Sequence, residues 1–214
     1  MGMTCGTISA LLYGTGTGRT QTATQRPGLF FREDWKETPA ALPVTQDHVA
    51  HPDLDLALYG PGRAGIKKSH HDQPYDDPFY IWSGEAEGNW AVALRHRRLQ
   101  VDLSRQGKVI WRAKQQGLRQ LRLILRLGDG AWVVSDQADG PSADWRIREF
   151  VLADARWFRL DIQTVIEGPV LRTVDLQRVD AVGFTDLMRG GRSVACSRLD
   201  WMEVYGHPVP RPAG

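Results

Sequence analysis

One segment limits the folds open to this chain more than any other: RQLRLILRL, residues 119–127. Leu121, Leu123, Leu125 and Leu127 recur at every second position, with Arg122, Ile124 and Arg126 between them. Side chains two residues apart share a face of an extended strand but not of a helix. Only a strand therefore gathers the four leucines on one surface. Gly128-Asp129-Gly130 then supplies a turn and AWVVSD (131–136) returns, the pattern of a β-hairpin. An isolated hairpin is not stable in water, so the leucine face needs more strands beside it and a second layer against it.

The rest of the chain offers them. Alternating or short apolar runs predict strands at 29–34, 54–60, 79–82, 90–96, 99–104, 108–114, 146–152, 157–164, 179–186 and 198–206. No long amphipathic helix and no internal repeat interrupts them. Arginine alternates with apolar residues in these segments, which reads as a solvated sheet face. The expected fold is all-β, an antiparallel β-sandwich of jelly-roll type. A chain of 214 residues suits one such domain, placed at 28–207. Residues 1–27 read as a flexible tail or a degenerate export signal: ISALLYG is a short apolar run without a basic start. The tail HPVPRPAG, 208–214 within the last eight residues, is expected to be disordered.

The formal net charge is +2, with acids and bases interspersed, so neither nucleic acid nor an anionic membrane is called for. No apolar run approaches bilayer thickness, so no membrane span is expected. Cys5 and Cys196 do not suggest a disulfide framework. The weak export signal favours a secreted or periplasmic location.

Chemistry-bearing residues concentrate in GIKKSHHDQPYDDPFYIWSGEAEGNW, 65–90. Imidazoles titrate near neutral pH and carboxylates nearby can orient them. His70 and His71 are adjacent, so an extended backbone sends them to opposite faces. The spacing fits no strict metal signature. A polar surface loop whose residues satisfy one another is the competing reading. The eight tryptophans suit a large core, and equally suit stacking on the apolar face of a sugar ring.

From about Leu99 to Gly206 the order of features resembles the galactose-binding-like jelly roll, which includes many carbohydrate-binding modules and the CIA30-type domains. The resemblance lies in VDLS followed by KVIWRAK, in RQLRLILRLGDGAWVVSD, in VDAVGF and in the closing RLDWMEVYG. It covers about half the chain and leaves out 65–90. It implies a structural calcium between the first and last strands, for which Glu33, Asp34 and Asp200 are the candidate oxygen ligands. Pairing of those carboxylates with Arg32 or Arg198 is the alternative.

Three functions remain. In a carbohydrate-binding β-sandwich recognising a polysaccharide or oligosaccharide, Tyr75, Tyr80, Trp82 and Trp90 are candidate platforms. Lys67, Lys68, Asp72, Asp76, Asp77, Arg95 and His96 are then candidate polar contacts. In a polysaccharide-cleaving enzyme, a lyase or a glycoside hydrolase, possibly metal-assisted, His70, His71, Asp72 and Tyr80 are the candidate catalytic set. A module that recognises a protein is the third. No G-x-S-x-G and no phosphate-cradling glycine loop occurs.

Overall fold

The computed structural model describes residues 1–2, 26–188 and 195–212. They form fourteen strands. In chain order these are β1 (Gly28–Glu33), β2 (Leu54–Tyr59), β3 (Lys67–Ser69), β4 (Tyr80–Trp82), β5 (Trp90–His96), β6 (Leu99–Asp102) and β7 (Lys108–Gln115). Then follow β8 (Leu121–Leu127), β9 (Trp132–Asp139), β10 (Arg146–Val151), β11 (Trp157–Asp161), β12 (Ile166–Leu171), β13 (Val179–Asp186) and β14 (Ser197–Pro210). The described residues include short 3-10 turns and no α-helix.

All the pairings are antiparallel and build two layers. The first sheet runs β10–β7–β14; the far edge of β14 is shared between β4 and β1, with β3 beyond β4. The second runs β12–β11–β9–β8–β13–β5–β2. β6 pairs with β13 at Val179 and with the last residues of β14. β14 therefore belongs to both layers, which makes the fold the antiparallel sandwich expected from the alternation.

The core sits between the layers. Leu121, Leu123 and Leu125 of β8 point into it beside Trp90, Trp111, Phe150 and Phe184. Each such leucine contributes roughly 1.5–3 kcal/mol by leaving water. The opposite face of β8 differs from the solvated face expected. Ile124 is fully buried there, in a second cluster with Ala91, Ala93, Trp132, Val134, Leu160, Val165 and Ala181. Only Arg122 and Arg126 of that face stay partly exposed.

Two strands escape the sequence pattern. β3 is three residues long. β12, IEGPVL, contains Gly168 and Pro169. It pairs only with β11, so the missing Pro169 N–H breaks no ladder bond on the open edge. The expected terminal tail is also different: β14 continues through Pro210, with His207–Pro210 paired to Asp102–Leu99 of β6. Pro208 and Pro210 are tolerated because this piece of β14 has one partner. The expectation for residues 1–27 falls, but for 1–2 and 26–27, outside the described residues.

Candidate functional site

Alternation decides which side chains reach each surface of the first sheet. β14 sends Leu199, Met202 and Val204 inward and leaves Arg198, Trp201, Glu203 and Tyr205 partly exposed on the outer face. β7 does the same with Val109, Trp111 and Ala113 inward and Lys108, Ile110, Arg112 and Lys114 outward. Of the eight tryptophans, Trp35, Trp90, Trp111, Trp132 and Trp157 are buried. The other three, Trp82, Trp145 and Trp201, all belong to this outer face. Trp82 and Trp201 stand there by register with Arg198 and Arg112. Trp145 joins them through Tyr80, 5.3 Å between ring centroids, and Arg112, 5.4 Å from its ring.

Each ring is held differently. The six-membered ring of Trp82 lies against Gly84, where a Cβ would fall 1.9 Å from Cζ2, so only glycine allows this seat. Lys67 Nζ stands 5.4 Å from the same ring. Trp201 is covered by the guanidinium of Arg32 at 4.3 Å. Arg32 in turn donates to Asp34 at 2.6 Å and Glu203 at 2.6 Å. Trp145 sits at the end of a turn fixed at both ends. Arg146 Nε donates to the buried Asp139 at 2.8 Å, Trp111 Nε1 donates to the same carboxylate at 2.9 Å, and Ser142 N–H donates to the Gln115 carbonyl at 3.2 Å.

The tip of the β3–β4 hairpin, residues 70–79, folds over one end of this face. Tyr80 is consequently 2% exposed, and its burial raises the phenol pKa. His71 lies beside it: Nδ1 is 3.1 Å from the Tyr80 hydroxyl and 2.9 Å from Asp77 Oδ2. The His71 backbone N–H donates to that same oxygen at 2.8 Å. A carboxylate on Nδ1 leaves Nε2 as the free acceptor of a largely exposed imidazole. Such a pair can exchange hydrogen bonds with a hydroxyl group.

The candidate catalytic residues do not converge. The neighbouring histidines diverge as the extended backbone requires. His71 and Tyr80 are on the outer face, whereas His70 stacks on Phe79 at 4.0 Å, with Lys68 Nζ 4.3 Å from that ring. Asp72 is fully exposed and no nearer than 4.0 Å to His70 Nε2. Asp76 and Tyr75 are exposed at the tip.

Three of the proposed polar contacts lie elsewhere. Lys68 faces inward opposite Ile81, fully buried, and donates to the Thr38 carbonyl at 3.1 Å; burial lowers its pKa to about 8. Its neighbour Lys67 takes the outer face because β3 alternates. Arg95 and His96 belong to β5, in the other sheet. His96 Nδ1 accepts the N–H groups of Arg98 and Leu99 at 3.2 and 3.3 Å, closing the β5–β6 turn, and burial lowers its pKa. Arg95 faces Asp180 at 3.4 Å. Trp90 is a core residue.

The three carboxylates considered for calcium are not brought together. Glu33 points inward beside Met202, fully buried, and accepts the N–H groups of Trp35 at 2.9 Å, Ala50 at 2.7 Å and His51 at 3.0 Å. Asp34 pairs with Arg32, and Asp200 with Arg112 at 2.6 Å. Burial raises the Asp200 pKa despite that arginine. Among the described residues no group of three or more His, Cys, Asp or Glu is placed to hold a metal ion.

Sequence reasoning passed over Trp145, Trp201, Arg112, Lys114 and Arg198 as site residues. The signal was present for three of them, since alternation in KVIWRAK and DWMEVYG already puts Arg112, Lys114 and Trp201 opposite the core residues, whereas Arg198 reaches this face only through the irregularity between Leu199 and Trp201. Nothing local marked Trp145, which is brought in by a turn.

No family model matches this chain, and no curated protein matches it. Solved structures are similar to it at low identity. One is a family 11 carbohydrate-binding module of a cellulosomal cellulase of Clostridium thermocellum: 12% identity, TM-score 0.47, covering 80% of this chain and 96% of that one. The same family in complex with a β-1,3-1,4-mixed-linked tetrasaccharide gives 13% identity and TM-score 0.46, over 80% and 98%. A family 29 carbohydrate-binding module gives 12% identity and TM-score 0.43, over 79% and 92%. At these values the likeness concerns the fold alone.

Proposed function

We propose that the outer face of the first sheet binds a polysaccharide or oligosaccharide. The observation that carries this is the segregation of the tryptophans: every one outside the core emerges on this face. Tyr205 extends the aromatic strip along β14, and Arg112, Asp200, Glu203, His71 and Lys67 border it with groups able to bond adjacent hydroxyls. Indole rings supply flat apolar area together with one N–H donor. A secreted or periplasmic location belongs to the same reading.

The test is affinity electrophoresis through gels containing soluble polysaccharides. The native protein is retarded by at least one of them without shortening it. Trp82→Ala and Trp201→Ala each release the protein while the far-ultraviolet spectrum is unchanged. Retardation that survives both substitutions would remove this face from the function.

A further inference from the structure

We infer that the ligand of this face is an acidic polysaccharide, its carboxylates taken by a row of cations that flank Trp82; this rests on the face being the binding site. The row follows from the register. Lys67 of β3 is opposite Trp82 of β4, Trp82 is opposite Arg198 of β14, and Arg198 is opposite Lys114 of β7. Neighbouring strands are about 4.8 Å apart, so the row spans roughly 15 Å. Like charges directly opposite each other across a ladder are destabilising.

Elsewhere on the face Arg112, Arg32 and Lys108 each have a carboxylate partner. Arg112 meets Asp200, Arg32 meets Asp34 and Glu203, and Lys108 meets Glu149 at 2.8 Å. The Trp82 row differs. Arg198 donates to the neutral Gln116 Oε1 at 3.1 Å and to the neutral Tyr80 side chain. Lys67 has the Trp82 ring at 5.4 Å. Only Lys114 approaches a carboxylate, that of Asp144, at 3.7 Å, and Asp144 is 84% exposed. The residues outside the described set carry no Asp or Glu side chain, so none of their side chains can neutralise the row.

Three cations against one loosely held carboxylate leave an excess of positive charge along the row that holds Trp82, whose indole lies against Gly84. A sugar ring stacked on Trp82 puts an equatorial carboxylate within the reach of the Lys67 and Arg198 side chains. An arginine fork matches a carboxylate with two parallel hydrogen bonds. Trp82 is only partly buried, so the attraction is open to salt screening.

The experiment compares retention by polygalacturonate, a neutral mixed-linkage glucan, dextran sulfate and a single-stranded oligonucleotide. The native protein, Trp82→Ala, Lys67→Ala and Arg198→Ala are each run at low and high salt. Expected is preference for polygalacturonate, weakened about five- to tenfold by each cation substitution and at least as much by raising salt to about 0.5 M. Lys67→Arg, which keeps the charge, restores it.

Retention by the neutral glucan alone, lost in Trp82→Ala but indifferent to salt and to both cation variants, overturns the acidic assignment and leaves the binding face standing. Retention by none of the polymers overturns both. Equal retention by dextran sulfate, or by the oligonucleotide, overturns recognition of a carboxylated sugar in favour of a general polyanion.

Discussion

Lys68→Met keeps the length of the side chain and removes its ammonium. Lys68 is fully buried, its Nζ bonded to one carbonyl and lying over Phe79, with no carboxylate against it. Burial lowers its pKa from 10.5 to about 8. At about 1.4 kcal/mol per tenfold, that interval is worth about 3 kcal/mol. The exposed hairpin tip beside Phe79 lets solvent screen part of it, which leaves roughly 1–2 kcal/mol.

The direction follows from proton linkage. Below about pH 8 the folded and unfolded chains both hold the proton, and the whole penalty is present. Between about 8 and 10.5 the unfolded chain keeps a proton that the folded chain has released, so the stability due to Lys68 rises with pH. Methionine has no such slope. Against the gain, the Thr38 carbonyl loses a donor; it is half-buried and can take water, at a cost of about 0.5–1 kcal/mol.

Urea melts at pH 7 are thus expected to show Lys68→Met as stable as the native protein, or up to about 1 kcal/mol more stable. The native-minus-variant difference grows by roughly 1–2 kcal/mol by pH 10.5. Polysaccharide retention is unchanged. A variant that loses more than about 2 kcal/mol at pH 7, with a difference flat in pH, refutes the burial argument. A variant that folds normally but loses retention refutes the assignment of Lys68 to the core side.

The remaining expectations are simpler. Glu33→Ala leaves three N–H groups without their acceptor and costs about 2–4 kcal/mol in a urea melt; a loss below about 0.5 kcal/mol contradicts the stapling role. Asp180 is held by Arg211, Arg95 and Arg126 below its usual pKa although burial opposes them. Its contribution is therefore present above about pH 4 and lost as pH falls through the folded value, and Asp180→Asn abolishes that part of the acid-melt slope. Gly84→Ala displaces the Trp82 indole, shifts the tryptophan emission and lowers retention about as far as Trp82→Ala does; an unchanged spectrum contradicts the seat.

How far the sequence reveals these features depends on the range of the force involved. The β8 leucines, the β8–β9 turn and the whole of β13 declare themselves locally, because a two-residue period and a turn suffice to specify them. Lys67 and Lys68 sit on opposite faces for the same reason, but nothing local says which face is the core; that is settled by pairing with β4 and the burial of Ile81. Pro169, Pro208 and Pro210 mark strand edges that only the sheet order reveals. That Arg95 and His96 lie in the other layer from Lys67 and Trp82 is likewise seen only once the register of β5 is known. The Arg198–Lys114 pair brings together residues 84 positions apart, so its charge conflict is invisible before the strands are aligned.

The two outer faces of the sandwich have been treated oppositely, and this narrows where a ligand can lie. Tyr59 on β2 and Trp132 on β9 are separated by three intervening strands, about 19 Å along the sheet. Their ring centroids are nevertheless 5.1 Å apart. Side chains stand roughly perpendicular to a flat sheet, so the second sheet must curl toward this side. The small residues Ala57, Ala93 and Gly183, aligned across β2, β5 and β13, give the curl its room. Val165 and Leu160 then close the trough, and Asn89 Nδ2 donates to the Val165 carbonyl at 2.9 Å to hold the β11–β12 turn over it. That surface is filled by the chain's own apolar groups. A ring entering it would first have to displace Trp132, whereas Trp82 on the opposite sheet needs no displacement, since Gly84 already backs one side of its indole. The partly exposed tryptophans and the unbalanced cations coincide on one sheet, whereas Trp132 on the other is packed among the chain's own side chains.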